Sequence, residues 1–216
     1  MDEVRHNVMM IRDNTESENL DWFEKLYSTA EGDAYWIPWS DGAPHRFLVE
    51  WNLGIKSRGR ALVVGSGLGE DAAYLSKEGW DVTAFDISKS AVNWAKKNYP
   101  EENINWQVAD LLYLPEEWKQ HFDLVLEVHI LQAIPESIRI LAAPNLAPLL
   151  KKGGHLVCIG RLNEKEEQFD GPPWPLSRSF IASIGSNLLP VDFVKANLSS
   201  DEPEIIRYRS VWRKEN

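Results

Sequence analysis

Along the middle of this chain short apolar runs alternate with stretches of helical period, and the first run opens directly onto a glycine-rich turn. Arg60 to Val64 reads as a strand, Gly65-Ser66-Gly67-Leu68-Gly69 as the turn, and Glu70 to Lys77 as the helix that follows. A strand from Asp81 to Phe85, a helix from Ser88 to Asn98 with Ala91, Val92 and Ala95 inward, and a strand from Ile104 to Val108 continue the pattern. Leu124 to Leu126 centres another strand, Glu136 to Leu150 is a helical region interrupted by Pro144 and Pro148, and His155 to Ile159 is a fifth strand. Strands separated by helices pair in parallel, so the expected class is α/β, with a mostly parallel sheet covered on both faces. The end of the chain differs. After a helix near Ser177 to Ile184, Val191 to Ala196 and Ile205 to Trp212 read as two strands joined by a turn holding Asp201 and Pro203, an antiparallel closing pair.

The N-terminal quarter follows other rules. Residues 1–19 are polar and aperiodic, a frayed leader. Leu20, Phe23, Leu26 and Tyr27 then recur at helical spacing, and a second helix is expected from Pro44 to Leu53 with Phe47, Leu48 and Trp51 inward. Between them Tyr35-Trp36-Ile37-Pro38-Trp39 is aromatic but interrupted by proline. The chain has 216 residues and no linker or repeat, so one domain is expected, 1–57 as leader and cap helices and 58–216 as the α/β core. Net charge is −10, with no basic cluster, which argues against nucleic acid as a partner. Nothing approaches a membrane span or a signal peptide, so the cytoplasm is the default compartment. The one cysteine, Cys158, lies in an apolar run and excludes an internal disulfide. His6, His45, His121 and His155 share no ligand spacing, and no metal is expected. Oligomeric state is not readable.

Three features fall at three successive strand ends. Glycines in the Gly65–Gly69 turn let the backbone bend sharply and approach a ligand, and the helix behind offers free N–H groups. Asp86 ends the second strand, where a carboxylate can accept the hydroxyls of a ribose; capping the next helix is its alternative role. Asp110 follows the third strand and can accept the amine of an adenine ring held between Ile87 and Leu111; an ordinary turn aspartate is the alternative. Together they point to one crevice that holds an adenosine-containing small molecule.

These residues resemble the class I S-adenosylmethionine-dependent methyltransferases from Arg60 to Arg213. The third glycine comes one place earlier than in the dinucleotide fingerprint, where this chain has Glu70. More narrowly the chain resembles the thiopurine S-methyltransferase-like branch, on Val64-Gly65-Ser66-Gly67-Leu68-Gly69-Glu70-Asp71-Ala72, on Phe122-Asp123-Leu124-Val125-Leu126-Glu127 and on Gly171-Pro172-Pro173-Trp174-Pro175-Leu176. The resemblance implies a Rossmann-like, seven-stranded sheet and S-adenosylmethionine as cofactor. It implies cofactor contacts from Gly65, Ser66, Gly67 and Gly69 in the turn, and from Asp86, Ile87, Ala109, Asp110 and Leu111 at the next two strand ends. Glu127, by backbone or side chain, is expected beside the methionine part, and Trp36 and Trp39 are candidates for a lid over the cofactor, with core packing as the alternative. Many relatives carry an acid two residues before the first glycine; this chain has Val63, and Glu70 or Asp71 is a candidate substitute near the methionine ammonium, with a favourable first-turn charge as the alternative role.

Methyl transfer from a sulfonium needs alignment more than proton removal, so no triad is expected. His129 is a candidate base or substrate partner, with a structural histidine as the alternative. Gln132, Arg161, Trp36 and Trp174 are further candidates for the substrate pocket, against core or surface roles. The expected function is methyl transfer to a small molecule, for instance a thiol. The competing readings are an NAD(P)-dependent oxidoreductase and a non-catalytic cofactor-binding domain.

Overall fold

The computed structural model describes residues 21–30, 32–165, 167–198 and 205–215. The expected leader, Leu20 and the turn with Asp201 and Pro203 lie outside them. Helices α1 (Asp21–Thr29) and α2 (Arg46–Leu53) precede the sheet. Then come β1 (Arg60–Val64), α3 (Glu70–Lys77), β2 (Asp81–Asp86), α4 (Lys89–Asn98), β3 (Ile104–Val108) and β4 (Phe122–Val128). Next are α5 (Glu136–Ala142), β5 (Leu150–Asn163), β6 (Leu176–Ser177), α6 (Arg178–Ile184), β7 (Leu189–Ala196) and β8 (Arg207–Arg213).

The strand order is β3-β2-β1-β4-β5-β8-β7. The first five strands of this order pair in parallel, and β8 pairs antiparallel with both β5 and β7. The class and the antiparallel closing pair are as the pattern implies. The strand count is eight instead of seven, because β5 runs on past Ile159 and its end at Leu162 and Asn163 pairs with the two-residue β6. Gly160 and Arg161 interrupt the apolar run there, and the backbone pairing with β8 carries the strand through them. The second helix also begins later than Pro44. His45 stays extended, and its ring Nδ1 accepts the Phe47 N–H at 3.1 Å, so the imidazole is the cap.

Alternation along β1 sends Leu62 and Val64 into one apolar layer and Ala61 and Val63 into the other. The first layer includes Phe23, Leu26 and Tyr27 of α1, and the second Phe47 and Leu48 of α2 with Ala72 and Leu75 of α3. Each face of the sheet is thereby dry, which is why its central strands read as continuous apolar runs. Between β1 and β4 the order of the strands reverses direction along the sheet, and a crevice opens there at the carboxyl ends. Among the described residues no helix is long and apolar enough to cross a membrane.

Leu126 is fully buried in mid-sheet, in register with Val63 on β1 and Val157 on β5. Leu126→Ala should cost about 2–5 kcal/mol in urea unfolding with the m-value unchanged, the usual range for a core leucine lost without refilling. A loss below about 1 kcal/mol would mean that this layer collapses into the gap.

Candidate active site

The turn after β1 is held in a form that suits glycine. Gly67 has φ +53°, and a Cβ there would stand 3.0 Å from the Tyr27 hydroxyl. At Gly69, φ is +96° and a Cβ would come within 2.7 Å of the Trp106 ring. Ser66 N–H donates to the Phe85 carbonyl at 2.8 Å, which lays the loop across the end of β2. The Asp86 carboxylate completes the junction, accepting Gly67 N–H at 3.0 Å and Ser88 N–H at 2.9 Å. Burial pushes Asp86 up to about 6, against the lowering effect of those two amides. Ser66 Oγ is buried without a hydrogen-bond partner.

These groups open onto a cavity of about 390 Å³ at the carboxyl edge of the sheet, within the usual range for small-molecule sites. Gly65, Ser66 and Gly67 line it on the loop side, and Asp86 and Ile87 on the β2 side. Ala109, Asp110 and Leu111 line it after β3, with Asp110 Oδ1 accepting Leu112 N–H at 2.8 Å. Trp22, Phe23 and Tyr27 of α1 and the following Trp39 form the roof. Trp39 Nε1–H donates to the Tyr27 hydroxyl at 2.8 Å, and Glu24 fastens α1 to α4 by accepting Ser88 O–H at 2.7 Å and Ser90 N–H at 3.0 Å.

Two charged groups line the cavity. One is acidic: Asp41, Glu70 and Asp71. Asp71 accepts His45 N–H at 2.8 Å, and burial, with Glu70 and Asp41 nearby, pushes it up to about 6. The other, which adjoins it through His45, comprises Arg161, Arg207, His45 and His129. Arg161 and Arg207 sit opposite each other in the β5–β8 register. The rings of His45 and His129 meet edge to face at 5.4 Å. Burial against the cavity wall, then the neighbouring cations, holds His129 down to about 3 and His45 to about 4, so both are neutral at pH 7. His129 also has φ +66°, a left-handed backbone that costs a side-chain-bearing residue about 1–2 kcal/mol.

Of the residues expected at the site, Gly69, Glu127, Trp36 and Trp174 do not line the cavity, whereas Trp39, Asp71, His129, Gln132 and Arg161 do. Gly69 caps α3 and is pressed against Trp106, Ala95 and Tyr99 behind the loop. Glu127 is 1% exposed and lies under the turn that follows β4. Trp36 packs edge to face on Tyr35 at 5.4 Å. Trp174 is tied to the wall through its N–H, which donates to the Gln132 carbonyl at 2.7 Å, while Pro172 and Pro173 reach the cavity. Tyr27, Asp41, His45 and Arg207 line it without having been expected there. Tyr27 fits the period of a core helix, and Arg207 reaches the site only because β8 returns antiparallel beside β5.

Residues 62–158 match the family model described as a methyltransferase domain. The chain is 27% identical over 178 residues to a protein of Arabidopsis thaliana named probable thiol methyltransferase 2, covering 76% of this chain and 72% of that one. It is 23% identical to thiopurine S-methyltransferase of Legionella pneumophila (strain Paris), over 70% of this chain and 75% of the relative. Ubiquinone biosynthesis O-methyltransferase of Coxiella burnetii is 33% identical over 110 residues, 50% of this chain; the chain spans 45% of that relative's length. Among solved structures, N-methyltransferase NodS from Bradyrhizobium japonicum, in complex with S-adenosyl-l-homocysteine, superposes with a TM-score of 0.74. That match has 19% identity and covers 92% of this chain and 100% of NodS.

The neutral histidines make stability depend on pH. A depressed folded pKa stabilises the fold above the unfolded value near 6.5, and that contribution is lost as pH falls toward about 3 for His129. Wild type should therefore lose stability faster than His129→Asn in urea unfolding between pH 6.5 and 4.5, by at most about 1.4 kcal/mol per pH unit. Parallel curves for the two proteins would mean that His129 is hydrated and titrates normally.

Proposed function

We propose that this chain, a class I S-adenosylmethionine-dependent methyltransferase similar to the thiopurine S-methyltransferase branch, transfers a methyl group to a small soft nucleophile, a thiol in the first instance. One observation carries the reading: the glycine loop, Asp86 and Asp110, from three strand ends, face a single cavity. The residues fit the cofactor. The buried Ser66 hydroxyl has no hydrogen-bond partner among the described residues and leaves a polar atom on the loop for a ligand. Asp86 keeps lone pairs for the ribose hydroxyls beyond the two amides it already accepts. Asp110 would accept the adenine amine, with Ile87 and Leu111 on the ring faces, and Asp71 with Glu70 would stand near the ammonium. Bound there, S-adenosylmethionine supplies a methyl group already activated by a sulfonium.

The protein's remaining task is to place the acceptor and exclude water. His129, Gln132 and Arg161 line the same cavity, and we assign them to the acceptor. An imidazole held down to about 3 is a poor proton acceptor at pH 7. It serves as a neutral hydrogen-bond partner, which favours an acceptor that arrives ionised. Thiols do so in part, with a reference pKa near 8.5. The names of the relatives cover sulfur and oxygen acceptors, and the two that match over most of this chain are named for sulfur. We read residues 1–57 as leader and cap and 58–216 as core of one domain. The single, buried cysteine thiol suits a reducing compartment, and we place the enzyme in the cytoplasm.

Incubation with methyl-labelled cofactor and a panel of thiols, thiopurines, halides, phenols and small amines tests the reading. Label should pass to a thiol and scarcely to phenols or amines; transfer to phenols alone would overturn the sulfur assignment. Asp86→Ala should weaken S-adenosylhomocysteine binding by about 1–3 kcal/mol in calorimetry, the usual cost of losing a charged hydrogen-bond partner. Unchanged affinity would remove Asp86 from the ribose site.

A further inference from the structure

Glu127 is the acid at the end of β4, yet it faces away from the cavity that the neighbouring residues line. Its Oε1 accepts two successive backbone amides, Ile130 N–H at 2.7 Å and Leu131 N–H at 3.0 Å. Both belong to the turn that begins with the left-handed His129. From the turn, four links run to the cavity and its wall. The His129 ring lines it. The Ile130 side chain lies against Gly65, where its Cδ1 stands 2.2 Å from the place a Cβ would take. Gln132 Oε1 accepts Arg161 N–H at 2.5 Å. The Gln132 carbonyl accepts Trp174 N–H at 2.7 Å, next to the Pro172 and Pro173 wall.

Burying a carboxylate is costly unless its hydrogen bonds repay the lost hydration. Burial pushes Glu127 up to about 7, and the Leu131 and Ile130 amides oppose that rise. Oε2 is buried without a hydrogen bond of normal geometry, beside the weak Cys158 donor. An apolar residue would avoid this cost but would offer the two amides no acceptor. The carboxylate therefore answers a need of the turn. A left-handed residue that carries a side chain persists only where its surroundings over-determine it, and such strain is often found at functional sites.

We propose that Glu127 is the positioning residue of the acceptor wall, holding the His129–Gln132 turn in the one shape that presents His129 and Gln132 to the cavity and ties Arg161 and Trp174 to them. This rests on reading that cavity as the methyl-transfer site. Glu127 touches neither reactant. It acts through the two amides and the turn they belong to.

Three variants separate this role from plain stability: Glu127→Gln keeps an acceptor oxygen at the same reach, Glu127→Asp withdraws it by one methylene, and Glu127→Ala removes it. In the protein saturated with S-adenosylhomocysteine, amide exchange at Ile130 and Leu131 should quicken at least roughly tenfold in Glu127→Ala and Glu127→Asp, a tenfold change being the effect of about 1.4 kcal/mol. The His129 imidazole resonances should shift in the same two variants, and Glu127→Gln should match wild type in both measurements. With thiophenol as the acceptor probe, kcat/KM should fall roughly 10–100-fold in Glu127→Ala, a range set by small misplacements of a reacting group, while S-adenosylhomocysteine affinity stays within about twofold. Wild-type exchange and imidazole resonances in Glu127→Ala, with only the melting temperature lowered, would overturn the proposal. So would a Glu127→Gln protein as defective as Glu127→Ala. If Glu127→Ala fails to fold, the comparison of Gln with Asp decides. Failure of wild type to bind S-adenosylhomocysteine would count against the methyltransferase reading instead, and the exchange pattern in the unliganded variants would still test Glu127.

Discussion

The Asp86 carboxylate accepts Gly67 N–H on one oxygen and Ser88 N–H on the other, and so ties the loop after β1 to the start of α4. Much of the site depends on that junction. Ser88 in turn caps α4 and donates its hydroxyl to Glu24, which brings α1 and the aromatic roof over the cavity. The floor, one wall and the roof of the crevice are thus linked through a chain of hydrogen bonds that starts at one buried acid. Burial pushes that acid up to about 6, so at neutral pH it is a carboxylate with acceptor capacity left for a ligand. This scaffold role is compatible with the ribose contact proposed for Asp86, because a carboxylate has more lone pairs than the two amides use.

Charge on the cavity wall is grouped. Acids from the segment after the roof and from the start of α3 form one group, and Arg161, Arg207 and two neutral histidines form another. His45 joins the groups: its N–H holds Asp71 while its ring meets His129. The turn after β4 lines the cavity with His129 and Gln132, and Glu127 gathers its amides from below. The glycine loop and this turn therefore rest on different buried carboxylates, Asp86 and Glu127.

What could be read from the sequence was what depends on local chemistry. The parallel strands β1 and β2 are buried on both faces and so read as apolar runs, and the Gly65–Gly69 turn announces backbone shapes that other residues rarely adopt. Asp86 and Asp110 were placed by their position at strand ends. What depends on long-range approach was not legible. Arg207 joins the site through the antiparallel return of β8, and Tyr27 by the docking of α1 over the loop. Nothing in the local pattern at Glu127 shows that its carboxylate turns under the chain. Gly69 carries the marks of a ligand-binding glycine, but the ring behind it at Trp106 explains it. The two-residue β6 and the cap at His45 are likewise products of packing.

The central claim is that this crevice holds the adenosyl cofactor of a methyltransferase rather than a dinucleotide. Calorimetric titration of the wild-type protein with S-adenosylhomocysteine and, separately, with NAD is the direct measurement. Saturable binding of S-adenosylhomocysteine at one site per chain, with no heat from NAD, is the predicted result. Binding of NAD with none of S-adenosylhomocysteine would contradict it.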